Sequence, residues 1–542
     1  GWTAAEPAFE RLRAALTVYS PRASKRDLVV MLRQALSYEQ GQRGIGGTPP
    51  EVTVEHPAFA GADWSASSLR SLPLQNGCRV SLEAWSPIWL GQPRESVELR
   101  AASEVPCRFG EGSGVAGDPL LSSVRRTTYR SVGQRAAARA ALSTPPGGTL
   151  AVALATGEGK SLLFQLAQMV GFTGAPPRGE IPGTTLVIVP TVALALDHEA
   201  SSLPLMGHRS PLAFRSGAES NAFLLERIRD GTQGLCFASP EAACGPLRSA
   251  LLAAARSGTL HSITVDEAHL VDQWGTGFRT EFQELSGLRR ELLAATQSST
   301  RLRTLLLSAT LTASSLAALE ALFGDGNPLR SLAAVTLRPE PDYWIAAPST
   351  AAEREQRILD ALAHVPRPTI LYVTEVKHAE AWLGRVREAG YSRVRMLHGG
   401  TSAEAREDIL KDWRNGALDL VIGTSAFGLG IDYQHARSIL HACVPETLDR
   451  FYQEVGRAGR DGRASLSISA PAHDDFGPAE RLGEQKVISI DRGLLRWRAM
   501  FESAVTVDYG LVAVDVDVRP SMSESDIDMS GDRNTDWNIR TL

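Results

Sequence analysis

The sequence predicts an α/β protein of two tandem parallel-sheet lobes, with an N-terminal accessory region before them and a short extension after. Three observations carry this. From about residue 125, short apolar runs rich in β-branched residues alternate with helical patterns, as in parallel sheets covered on both faces. The runs form two series, separated at Arg338-Pro339-Glu340-Pro341, where two prolines bar a helix from crossing. Two phosphate-directed patterns, Ala155–Ser161 and Gln453–Arg460, fall one in each series.

Residues 1–120 read differently from the rest. Phe9, Leu12, Leu16 and Tyr19 recur at helical spacing, and Ser24-x-x-Asp27 forms a capping-box pattern opening a second helix through Leu28, Met31, Leu32 and Leu36. Loops and short strand candidates follow, with Trp64, Trp85 and Trp89 among prolines. The tract Gly110–Gly114 lacks a preceding strand and a following helix, so a linker is expected rather than a dinucleotide loop.

The first lobe, 121–335, carries strands at Leu150–Leu154, Thr185–Val189, Gly234–Ala238, Ser262–Val265 and Thr304–Leu307. The second, 336–475, carries them at Thr369–Val373, Val394–Leu397, Leu418–Ile422, Ile439–Ala442 and Ser465–Ile468. In the extension, 476–542, Asp491–Phe501 reads as a helix bearing Trp497, and Met522–Asn538 is acidic and polar. With no initiator Met and no terminal element at Thr541-Leu542, a piece of a longer chain is expected.

The 542 residues carry 56 Lys+Arg against 61 Asp+Glu, so a nucleic-acid surface must be a local arginine-rich groove. The five cysteines are scattered without metal spacing, so neither a disulfide framework nor zinc is expected, and a reducing cytoplasm fits. No apolar stretch is long enough to span a bilayer and Gly1–Ser20 lacks a signal-peptide core, so no membrane partner is expected.

In the loop Ala155-Thr156-Gly157-Glu158-Gly159-Lys160-Ser161, the glycines let backbone N–H groups approach phosphates. Lys160 places a charge by the β- and γ-phosphates, and Ser161 offers a hydroxyl to Mg²⁺. Leu154 stands where the common pattern has a first glycine, and a chance glycine turn is the competing reading. Asp266 and Glu267 end the run 262–265, so Asp266 can hold the Mg²⁺ shell and Glu267 can accept a proton from an attacking water; a simple helix cap is the alternative. Arg457 and Arg460, three apart, are expected on one face of a helix or helical turn, where they can point together and reach the γ-phosphate when the lobes close. A solvated arginine pair leaves the glycines at 456, 459 and 462 unexplained.

With these residues in order, the stretch from about 125 to 470 resembles the RecA-like motor core of superfamily 2 helicases. More narrowly it resembles the RecQ-like DNA helicases, because Asp266-Glu267-Ala268-His269 is followed by a loop with Gln273, Trp274, Phe278 and Arg279 at that family's spacing. Such a loop suits single-stranded DNA, since flat side chains stack on bases and arginine binds phosphate. Trp274 and Phe278 as core aromatics are the alternative, and their setting among glycines and polar residues argues for exposure.

The resemblance implies further roles. Arg130–Gln134 matches the adenine-sensing motif, with Gln134 complementary to N6 and N7. Pro190, Thr191 and Ser239 match DNA-backbone motifs of the first lobe, and Ser308-Ala309-Thr310 the segment linking hydrolysis to DNA. His398 and Thr424 match DNA motifs of the second lobe, while Gly430, Asp432 and Gln453 join Thr156, Gly157, Gly159, Lys160, Ser161 and Asp266 around ATP and Mg²⁺. An ATP-dependent translocase acting on single-stranded or tailed DNA, moving 3′ to 5′, is implied. Residues 471–542 contain no cysteine, so the family's zinc module is missing or replaced. That arrangement is similar to the DpdF-type RecQ-like helicases of bacterial DNA-modification and defence clusters. A DNA-sensing ATPase switch with protein partners docked on residues 1–120 remains open, as does an RNA helicase, which the loop at 270–279 disfavours.

Overall fold

The computed structural model describes residues 7–17, 23–44, 47–91, 93, 95–108, 114–173, 182–207, 210–271, 281–296, 302–325, 329–424, 436–483, 490–507, 511–520 and 538. Two six-stranded parallel sheets dominate it. The first has the order Arg330–Ala334, Thr149–Leu154, Arg303–Ser308, Leu260–Val265, Thr184–Ile188, Gly234–Ala238. The second has the order Pro341–Ile345, Ser465–Ser469, Ser438–His441, Thr369–Tyr372, Leu420–Gly423, Val394–Leu397.

Alternation along each strand divides the first lobe into two cores. Leu306, Ile263, Val265 and Leu186 face one layer of helices, while Leu305, Leu307, Val152 and Val187 face the other. Both faces are covered, so the strands read as continuous apolar runs instead of alternating ones. All ten strands expected from sequence are present. Two edge strands were not expected. Arg330–Ala334 is half exposed and alanine-rich, and Pro341–Ile345 begins on a proline, which an edge strand tolerates at its first residue.

The N-terminal region has its own antiparallel sheet, ordered Glu51–Val54, Gly77–Leu82, Leu69–Leu74, and two helices, Pro7–Thr17 and Lys25–Arg43. Ser24 and Asp27 form the capping box on the second helix. The region is fused to the second lobe. Val30, Trp85, Leu90, Val97 and Ala101 share a core with Leu371, Leu440 and Ile468. Trp85 stacks on His364 at 4.7 Å, and the Trp85 and Trp89 indoles donate to Asp360. The Gln34 amide exchanges two hydrogen bonds with the Arg367 backbone, at 2.9 and 3.0 Å. The linker tract falls mostly outside the described residues, as does Met522–Asn538 apart from Asn538. The helix at the C-terminal side spans Ile490–Glu502. No helix among the described residues is long and apolar enough to cross a membrane.

Candidate functional site

The loop 155–161 joins the interior strand Thr149–Leu154 to the helix Ser161–Met169, and one strand, Arg303–Ser308, separates it from the strand that delivers Asp266. Gly157 and Gly159 hold φ of +85° and +80°, which side chains with a Cβ rarely adopt. A Cβ at Gly159 would lie 2.7 Å from the Gln134 amide nitrogen. That amide donates to the carbonyls of Glu158 (2.8 Å) and Gly159 (3.2 Å), while its oxygen accepts from the Arg130 N–H at 2.7 Å. The Arg130 guanidinium donates to the Gly157 carbonyl. With these carbonyls drawn to one side, the N–H groups of Gly159 and Lys160 face the other, as the planar trans peptide requires. A triphosphate fits such a cradle. Gln134 is 1% exposed and both ends of its amide are engaged, so here it shapes the loop.

Asp266 is 5% exposed at the end of its strand. Burial alone would raise its pKa. The His198 hydrogen bond (3.3 Å), the charges of His198 and Lys160, and the Glu267 N–H outweigh it and hold the carboxylate below its ordinary range. An ionised carboxylate beside Lys160 suits Mg²⁺. Glu267 sits at φ +52°, left-handed for a non-glycine residue, with its side chain partly open to solvent.

His269 connects this acid pair to both lobes. Its Nδ1 lies 2.9 Å from Ser308 Oγ and 3.4 Å from Glu267 Oε2; its Nε2 lies 3.1 Å from Gln453 Nε2. Ser308 spends its single proton on the Thr310 carbonyl at 2.5 Å, so Nδ1 must carry the hydrogen and Nε2 must accept from Gln453. The imidazole is therefore neutral. Burial pushes its pKa below the ordinary 6.5, and Lys160 and Arg450 add to this against the pull of Glu267. As pH falls below 6.5, the unfolded chain gains a proton here before the folded chain does, so stability from this group is lost in that direction. His269→Gln is expected to flatten the decline in melting temperature between about pH 7 and about pH 5. An unchanged slope would remove His269 as its source.

The second lobe closes over the loop. Gly456 packs so tightly there that a Cβ would approach Thr156 Cβ to 3.3 Å, and Gln453 Nε2 donates to Thr310 Oγ1 of the first lobe at 3.4 Å. The two arginines, expected on one face of a helix or helical turn, meet different partners. The helix stops at Val455, and Gly459 at φ +62° turns the chain. Arg457 is 7% exposed and turns back toward Tyr372 within the second lobe, where its charge opposes the rise that burial imposes on that phenol. Arg460 stays at the linker beside Arg338, with its Nε donating to the Gly456 carbonyl at 3.2 Å.

Among the residues matched to DNA motifs, Thr191 and Ser239 cap the helices that follow adjacent strands, accepting from Leu194 and Ala242. Pro190 precedes the first of these caps. His398 Nδ1 accepts from the Gly400 N–H, and Thr424 is buried after its strand. Gln273, Trp274, Phe278, Arg279, Gly430 and Asp432 lie outside the described residues. Sequence reasoning missed His198, Arg338 and Glu340. His198 carries no local signal, and Arg338 and Glu340 were visible only as part of a proline-marked boundary.

Residues 131–319 match the DEAD/DEAH box helicase family and residues 353–462 the helicase conserved C-terminal domain. The probable ATP-dependent DNA helicase RecS of Bacillus subtilis (strain 168) is 29% identical over 340 residues, covering 62% of this chain and 64% of that protein. The ATP-dependent DNA helicase RecQ of Synechocystis sp. is 31% identical over 321 residues, covering 57% of this chain and 62% of that protein. The chain thus spans under two thirds of either relative. The DUF1998 helicase MrfA, solved with DNA and AMPPNP, shares the fold with a TM-score of 0.53 at 16% identity, over 91% of this chain and 68% of that one.

Proposed function

We propose that the chain is a RecQ-like superfamily 2 helicase, an ATP-driven DNA translocase that separates the strands of tailed duplexes in the 3′-to-5′ sense; the matches to the DEAD/DEAH box and helicase C-terminal families and the likeness to RecS and RecQ support this reading. The observation that carries this reading is the neutral His269, whose two nitrogens join Ser308 in one lobe to Gln453 in the other. A change at the acid pair is thereby felt by the second lobe, and the reverse.

Lys160, Ser161 and Asp266 would hold ATP with Mg²⁺, which neutralises phosphate charge when bound. The chain's own residues do the remaining work. Gln134 and Arg130 fix the loop peptides in place before nucleotide arrives. Glu267 accepts the proton of the attacking water. Arg460 supplies positive charge from the second lobe, so hydrolysis requires closure. Trp274 and Phe278 contact bases, and Thr191, Ser239, His398 and Thr424 follow the backbone, contacts without sequence information.

The test pairs ATP turnover on single-stranded DNA, duplex DNA and RNA with displacement of 3′-tailed and 5′-tailed duplexes. Stimulation by single-stranded DNA with displacement of the 3′-tailed substrate is expected. Stimulation without displacement would replace the motor by an ATPase switch, and preference for RNA would overturn the substrate. Trp274→Ala is expected to keep basal turnover and lose most DNA stimulation; full stimulation in that variant would refute its role.

A further inference from the structure

One residue of the phosphate loop is electrostatically out of place. Glu158 puts a carboxylate between Gly157 and Gly159, in a loop whose ligand is a polyanion. It is 7% exposed, so water does little to screen it. Its countercharge comes from outside both lobes. The Arg108 guanidinium pairs through Nη1 with Glu158 and through Nε with Glu340. Arg108 Nη2 also lies 3.5 Å from where a Cβ on Gly157 would stand, so the guanidinium rests against the loop itself.

This arginine is held by backbone. Cys107 and Arg108 both donate N–H to the Gly462 carbonyl, at 2.8 and 2.9 Å, and Ala464 N–H donates to the Val105 carbonyl at 2.8 Å. Glu104 pairs with Arg463 at 3.3 Å. The segment 104–108 is thus laid along the loop that follows Arg460. Beyond it, the fully buried Glu340 gives its second oxygen to Arg338, which donates to the carbonyls of Gly456 (2.6 Å) and Gly459 (2.8 Å). Two guanidinium and two carboxylate groups alternate from the phosphate loop to the arginine-bearing turn.

We propose that Arg108 is a positioning residue of the nucleotide site, neutralising Glu158 so that the loop accepts a triphosphate only while the segment 104–108 is docked on residues 462–464. The N-terminal region is then a condition for nucleotide binding, and a partner that lifts this segment would weaken ATP from a distance. The inference rests on the reading of 155–161 as the ATP loop.

The experiment measures affinity of the full chain for a non-hydrolysable ATP analogue in five proteins: the parent, Lys160→Ala, Arg108→Ala, Glu158→Gln, and Arg108→Ala with Glu158→Gln. Arg108→Ala is expected to weaken binding about tenfold or more, because a buried carboxylate then faces the phosphates unpaired. Glu158→Gln is expected to tighten it several-fold, since the guanidinium then stands beside the phosphates with one carboxylate fewer. The double variant is expected to return to within about threefold of the parent, which also guards against misreading a fold defect in the single variant. Parent-like affinity in Arg108→Ala, or a double variant as weak as Arg108→Ala, would overturn the proposal. Undiminished binding in Lys160→Ala would instead remove the ATP-loop reading, and the proposal with it.

Discussion

Glu267→Gln is expected to cut ATP turnover by about 10³-fold while nucleotide affinity stays within about threefold of the parent, because the change removes a proton acceptor and preserves shape. The structure gives this residue an uncommon backbone. At φ +52° it occupies a region that costs a non-glycine side chain on the order of 1–2 kcal/mol, a strain proteins retain where it aims a side chain. Its N–H donates to Asp266 Oδ1 at 3.0 Å, so the two carboxylates are oriented by one turn. Asp266 is held ionised by His198 and Lys160, while Glu267 remains partly open to solvent, where a water can reach it. Strand displacement should fall with turnover. Turnover within about tenfold of the parent would show that another group takes the proton.

Arg460→Ala and Arg457→Ala are expected to fail for different reasons. Arg460, at the linker and beside the turn that touches Thr156, should cost about 10³-fold in hydrolysis with little change in melting temperature. Arg457, buried against Tyr372, should cost about 2–4 kcal/mol of stability, because its loss empties a polar interior site. Melting curves read beside single-turnover hydrolysis separate the two. An Arg457→Ala variant that melts like the parent yet hydrolyses as slowly as Arg460→Ala would restore the expectation of two arginines acting together on the γ-phosphate.

The two arginines part for an identifiable reason. Spacing of three places two side chains on one face only while helical geometry continues; the helix ends at Val455, and Gly459 at φ +62° breaks the turn between them. Gln134 illustrates a different gap. Its motif was legible and so was its complementarity to adenine, but the hydrogen bonds that occupy it come from Glu158 and Gly159, which no local pattern brings to it. The two missed edge strands lie where side chains are half exposed, so the apolar run that marks an interior strand is absent.

The sequence by itself determined what repeats over short distances. Apolar runs buried on two faces, the capping box at Ser24, and the glycines of the phosphate loop each depend on neighbours within a few positions, and each was legible. Only the tertiary structure decided what joins these parts. Trp85 on His364, His269 between Ser308 and Gln453, and Arg108 between Glu158 and Glu340 are contacts between residues 39 to 279 positions apart. Charge neutralisation and imidazole tautomer are properties of such contacts, since both depend on which groups share a desolvated space and not on the order in which the chain supplies them.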